Sequence, residues 1–249
     1  LESNQRRRLV PLHKGGLGGY PRRNQTHEKH NQTHEKLTSR EIRVDEEVGT
    51  EMTLDGRPPR RVGEVVEANS ASFTAQCYNL YDAPPLGCIV RTGSPEVYGV
   101  VCRVATEPLD SSRPVLARGE NVETEEEVFR DNPQLTRLLT SRFEALIAGH
   151  REQDTDRQYL PGLPPPVHSF VYTCDAQEVA RFTLQLDLLR LLLNSGPPMA
   201  DEVLSACLRG AAVTQTDPEA FMLRAGKALA AELAGDLPRL NSILKKVSP

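Results

Sequence analysis

Four short runs between residues 61 and 105 constrain this chain more than any other feature. In order they are RVGEVVEA (61–68), FTAQCYNL (73–80), GCIVRT (87–92) and VYGVVCRVA (97–105), separated only by the turn-forming segments NSAS, YDAPPL and GSPE. Phe73, Ala75 and Cys77 alternate with Thr74, Gln76 and Tyr78, so one face of the second run is apolar and the other mixed, the pattern of an antiparallel sheet with a wet side. Four short strands in an open sheet would leave two unpaired edges. Closure into a small barrel removes them.

Beyond residue 119 the texture becomes helical. EEEVFRDNPQLTRLLTSRFEALIAG (125–149) places Leu135, Leu138, Leu139, Phe143, Leu146 and Ile147 at three- and four-residue steps, which predicts a helix stopped by Gly149, with acidic residues suited to its first turn. The proline-rich REQDTDRQYLPGLPPP connects it to VHSFVYTC (167–174), which is expected to return to the barrel as a strand. Asp175 and Glu178 form a capping box that opens a strong helix, EVARFTLQLDLLRLLLN. Its stripe of Val179, Phe182, Leu186, Leu189 and Leu193 is widened by Leu184, Leu188, Leu191 and Leu192, so the helix belongs in a core or is shared with a second subunit. Gly196-Pro197-Pro198 ends it. Three more helices follow: DEVLSACLRGAA, then PEAFMLRAGKALAAELAG capped by Asp217 with Pro218 in its first turn, then LPRLNSILKKV.

The first residues are a different object. Up to Arg43 there are ten Lys/Arg and four Asp/Glu, and from Val44 onward twenty and thirty, so a +6 leader precedes a −10 body. The leader has no apolar periodicity, only RRR, GGLGG, PRR and NQTHEK written twice. His27, His30 and His34 have helix-compatible metal spacing, but no apolar stripe would dock such a helix, and a mobile chain binds metal only adventitiously. Order begins near Met52, the first methionine, which is the expected start of translation. The resulting α+β layout is a disordered leader or upstream extension over 1–51, a small antiparallel β-barrel over 52–118, and a helical bundle over 119–249 with the returning strand at 167–174.

Composition removes several function classes. An acidic body lacks the clustered Lys/Arg face that phosphates require, so nucleic-acid binding is disfavoured. Five cysteines without a C-x-x-C pair indicate buried, reduced thiols rather than a disulfide framework or zinc site. With no run of 18 apolar residues and no apolar signal-peptide core, the expectation is a cytoplasmic protein off the membrane, and the Asn24 and Asn31 sequons then have no secretory route.

Individual chemistry-bearing residues resolve mostly into structure. Asp82 sits in a YDAPP turn, and Glu64 and Glu67 flank a strand where solvated charge is ordinary. Cys77 with His150 or His168 would make a thiolate pair, but no orienting third residue is evident. Gly63, Gly87 and Gly99 suit bulges or turns. RAGKAL holds a Gly-Lys pair, yet Phe221 stands where a phosphate loop needs its first glycine and Ala228 where it needs a hydroxyl for magnesium. The expectation is therefore no catalytic residue, no cofactor and no metal.

The opening VGEVVEA, the phenylalanine of FTAQCY, the PPLGCIVR approach to the third run and VYGVV in the fourth resemble the HAS-barrel, the small β-barrel of HerA-type helicases and rotary ATP synthase subunits. The chain is also similar to small HAS-barrel proteins of cyanobacteria with a helical C-terminal part. The clearest matching residues cover about a fifth of the chain. In those machines the ATPase is a separate RecA-like domain and the barrels stabilise a ring, so the resemblance implies the assembly part without the motor. The expected function is a non-catalytic interaction or assembly module that scaffolds or caps an oligomeric complex, with a protein partner or self-association. Its interaction candidates are Phe73, Tyr78, Tyr81, Tyr98, Leu186, Leu189 and Leu193. The alternatives are single-stranded nucleic-acid binding with Phe73, Tyr78 and Tyr81 as stacking platforms, and a hydrolase or transferase centred on Cys77 or His168.

Overall fold

The structure, a computed structural model, describes residues 60–195 and 199–247. The NQTHEK duplication, its three histidines, the Met52 start and Gly196-Pro197-Pro198 lie outside those residues. The architecture is α+β: an antiparallel sheet followed by helices.

The four runs read from sequence are β1 (Arg61–Ala68), β2 (Ser72–Cys77), β3 (Ile89–Thr92) and β4 (Val97–Pro108). The 125–149 helix is not formed. The chain makes two short helical pieces, α1 (Glu125–Asp131) and α2 (Leu135–Leu138), and then the longest strand, β5 (Leu139–Glu152). The reason is burial on both faces. Phe143, Ala145 and Ile147 point into the barrel while Leu146 and Ala148 meet the helices outside, so residues 145–148 are continuously apolar and, with the leucines before them, imitate a helical period. Gly149 is no helix stop either. A β-carbon there would run into the carbonyl of Arg157, in the hairpin strand β6 (Thr155–Arg157) that folds back on β5.

The expected returning strand is β7 (Phe170–Thr173), which pairs with β1 on one side and β3 on the other. With β1–β2, β2–β5, β5–β4 and β4–β3 pairings, six strands close in the order β1-β2-β5-β4-β3-β7, every contact antiparallel. Closure leaves no free edge around the ring where the ladders meet. Two of the six staves, β5 and β7, therefore come from beyond residue 119. The interior is filled by Val62, Val65, Phe73, Ala75, Val90, Val101, Phe143, Ile147 and Val171. Gly99 lies at a register shift of the β4–β5 ladder, and a β-carbon there would stand 2.8 Å from the Phe73 ring.

Outside the β3–β4–β5 wall lies a second core. Ile89, Tyr98, Val100 and Ala148 pack against α3 (Ala176–Phe182), α4 (Leu188–Leu193), α5 (Ala200–Val213), α6 (Pro218–Glu232) and α7 (Leu237–Val247). The capping box is present: Glu178 N–H donates to Asp175 Oδ1 at 2.7 Å and Asp175 N–H to Glu178 Oε2 at 3.0 Å. Asp217 caps α6 with Pro218 in the first turn. The expected helix 178–194, however, is two. Buried Gln158 is inserted at the break, its amide donating to the carbonyls of Phe182 and Gln185 (2.9 Å) while its Oε1 accepts from Leu188 N–H at 2.8 Å. One side chain thus satisfies the end of α3 and the start of α4. Arg239 on α7 grips Asp201 on α5 with two nitrogens, at 2.7 and 2.9 Å, and ties the last helix down.

Candidate functional site: a barrel face and a cleft

The sequence-derived candidates separate by burial. Phe73, 1% exposed, is inside the barrel. Tyr98, at 0%, lies between barrel and helices, its ring 4.5 Å from that of Phe182 and its hydroxyl 3.1 Å from an Arg181 nitrogen. Leu189 and Leu193 belong to the helical core, whereas Leu186 is only partly covered. Tyr78 (47% exposed) and Tyr81 (63%) reach solvent, so they alone among the aromatic candidates can touch a partner directly. Tyr81 has a left-handed backbone (φ 62°), holds Ser141 Oγ through its N–H at 2.8 Å, and stands edge-on to Phe129.

Tyr78 belongs to a constellation that the sequence did not reveal as a group. On the outer wall of β1 and β7 the Arg61 guanidinium lies 5.2 Å from the Tyr78 ring centre and 4.6 Å from that of Phe170, itself 44% exposed. The Tyr78 hydroxyl donates to Glu64 Oε1 at 2.9 Å, and His168 Nδ1 is 3.1 Å from Glu64 Oε2. The hydrogen bond from His168, and then that from Tyr78, hold the Glu64 carboxyl below its usual range. Alongside, Arg91 lies over Tyr172 at 5.0 Å and pairs with Glu178 at 2.8 Å. Arg61 meets Tyr78 through the β1–β2 hairpin, whereas Phe170 joins them only through the β1–β7 pairing, a contact over a hundred residues of chain.

The chemistry of an alternative centre at Cys77 is unfavourable. Its thiol is buried and pushed up to about 11, first by burial and then by Asp82, so it holds its proton. His168 is engaged with Glu64, and His150 Nδ1 lies 3.2 Å from the Tyr159 carbonyl. Asp82 pairs with Arg60, away from Glu64. No disulfide joins the five cysteines. RAGKAL lies within helix α6, where backbone N–H groups are committed to helical bonds and cannot cradle phosphate. Among the described residues no group of three His, Cys, Asp or Glu could hold a metal, and no helix is long and apolar enough to cross a membrane.

A concavity lies elsewhere. A cleft of about 830 Å³ separates the barrel from the helices. Its floor is apolar, from Ala71 in the β1–β2 turn, Leu146 and Ile147 of β5, Leu186 before α4, Leu191 of α4 and Ala228 of α6. Its rim carries Asp187, Arg190 and Glu232. The break that Gln158 holds open between α3 and α4 puts Leu186 and Asp187 there; an unbroken helix would not. No family model matches this chain, and no curated protein matches it.

Proposed function

We propose that the chain is a non-catalytic protein-interaction or assembly module, a HAS-type barrel that scaffolds or caps an oligomeric, ATPase-like complex in the cytoplasm. The observation that carries this reading is the Arg61–Tyr78–Phe170 face. Tyrosine, phenylalanine and arginine are the residue types that concentrate binding energy in protein interfaces. Here they are half-exposed yet already fixed by stacking and by the hydrogen bond to Glu64, so little rotamer freedom remains to be lost on docking. Five cysteines with no disulfide between them suit a reducing compartment. The resemblance of VGEVVEA, FTAQCY and VYGVV supplies the HAS-type assignment and the ring-forming partner class.

The test is capture by the immobilised full chain, compared with Tyr78→Ala and Arg61→Glu. A protein retained by the wild type and lost from both variants supports the reading. Equal retention by all three removes this face from it. Nucleic acid is the second reading, because Tyr78, Tyr81 and Phe170 are exposed aromatics. Arg61 already lies against two of those rings, and the body carries a net −10, so the proposal favours protein. Tight binding of a labelled single-stranded oligonucleotide that weakens steeply with salt would reverse that order.

A further inference from the structure

We infer that the cleft between β5, α4 and α6 is a docking groove for a short amphipathic helix of another protein, with leucine-type side chains on one face and lysine or arginine beside them. The inference rests on the reading of the chain as a protein-interaction module and names a second surface for it, distinct from the Arg61–Tyr78–Phe170 face.

The floor supplies the first argument. In α4, Leu188, Leu189 and Leu192 are at most 1% exposed, whereas Leu191, together with Leu146 and Leu186, is left half-covered toward the cleft. The helical layer thus closes over its own leucines on one side and presents a trough of the same chemistry on the other. A volume of about 830 Å³ accommodates the anchoring side chains of about two helical turns. The rim residues Asp187, Arg190, Asn194 and Glu232 are all exposed, so the trough is open along its top, as a polypeptide occupant requires.

Charge supplies the second argument and decides the occupant's sign. In the helical layer Arg181 pairs with Asp156, Arg239 with Asp201 and Lys246 with Glu202, while Arg209 and Arg224 bond backbone carbonyls instead. At the cleft, Asp187, Arg190 and Glu232 make no ion pair among the described residues. Two carboxylates and one guanidinium line an apolar trough in a body that is itself net −10. The complement is a basic amphipathic helix, with Asp187 and Glu232 meeting its cations and Arg190 admitting one acidic group that fixes its direction.

The experiment uses the full chain and two fluorescein-labelled peptides of about fourteen residues, one repeating LKKLLKL and the other LEELLEL, followed by anisotropy at about 0.15 M salt. The basic peptide is expected to bind and the acidic one not. Ala231→Trp fills the cleft from an exposed position, and it should weaken the basic peptide at least about tenfold. The double variant Asp187→Lys, Glu232→Lys should exchange the preference, admitting the acidic peptide. Preference of the wild type for the acidic peptide overturns the charge assignment, and binding that both variants leave unchanged shows attachment elsewhere on the acidic surface and overturns the groove. If neither peptide binds while Tyr78→Ala still abolishes partner capture, the groove falls and the interaction reading stands. Loss of capture by neither Tyr78→Ala nor Arg61→Glu, with the groove intact, has the opposite meaning.

Discussion

The barrel has two unlike walls. β3, the first half of β4 and the second half of β5 are packed on both sides, by the barrel interior within and by the helices without, and β1, β2 and β7 are packed on one side and wet on the other. In the covered wall even the outward-facing Tyr98, Val100 and Ala148 are at 0% exposure, and the outward residues of the wet wall include Thr74, Gln76, Glu64 and the exposed Phe170. The same ladder geometry thus serves two purposes. The covered wall holds the helical half of the chain, and the wet wall carries aromatic and charged side chains that no element among the described residues covers. The contrast teaches that strand alternation reports solvent on one face rather than strand structure as such.

Phenylalanines test the contrast most strongly. Phe143→Ala empties space inside the covered wall and should cost about 3–5 kcal/mol, while Phe170→Ala on the wet wall should stay within about 0.5 kcal/mol. Urea midpoints of the two variants measure the difference, and near-equal losses would mean that the wet wall is covered in solution.

Next in size is Gln158→Leu. It strands the carbonyls of Phe182 and Gln185 and the N–H of Leu188 in a buried break, for a loss of about 2–3 kcal/mol by denaturant titration. A neutral outcome would show that α3 and α4 can fuse without it. Tyr98→Phe keeps the ring contact with Phe182 and removes only the hydroxyl, which accepts from Arg181 and donates to Glu96, so about 1 kcal/mol is expected. That phenol is raised above its usual range, chiefly by burial and then by Asp156 and Glu96, so it should resist alkaline titration followed by ultraviolet absorbance.

The smallest effect is one of pH. Burial pushes the Cys207 thiol, packed in the helical core, up to about 12, and that of Cys77, inside the barrel, up to about 11. Both folded values lie above the unfolded one of about 8.5, so their contribution is fully present below that pH and is lost as pH rises toward the folded values. Unfolding midpoints should therefore fall between about pH 8.5 and 11. Cys207→Ala should flatten that slope, and a slope unchanged in the variant would place its origin in other groups.

β1 to β4 were legible in the sequence whichever wall they belong to. β1 was readable to its end residues as RVGEVVEA, and β2 from FTAQC, because water on one face writes alternation into the sequence. β5 was not, because its stretch from Ala145 to Ala148 is packed on both faces and its Leu139, Phe143, Leu146 and Ile147 happen to fall on a helical period. The caps at Asp175 and Asp217 were legible since each is closed within three residues of chain. The break at 183–187 was not, since what stabilises it is Gln158, thirty residues from Leu188. The site was only partly visible for the same reason: Tyr78 was identifiable as an aromatic candidate, but not its association with Phe170, and Phe73 and Tyr98 looked equally available until their burial was known.

The sequence by itself determined the α+β class, the first four strands, the capped helix starts and the acid-rich body, all of which rest on interactions between near neighbours or on composition. Tertiary structure decided that the sheet closes through β5 and β7, that one leucine-rich run splits into two helices, and that Arg61, Tyr78 and Phe170 share a face and Asp187 and Glu232 a rim. Those outcomes depend on pairings between residues far apart in the chain. Burial on a second face or a hydrogen bond from a distant side chain outweighs local propensity there, and a linear pattern carries no record of either.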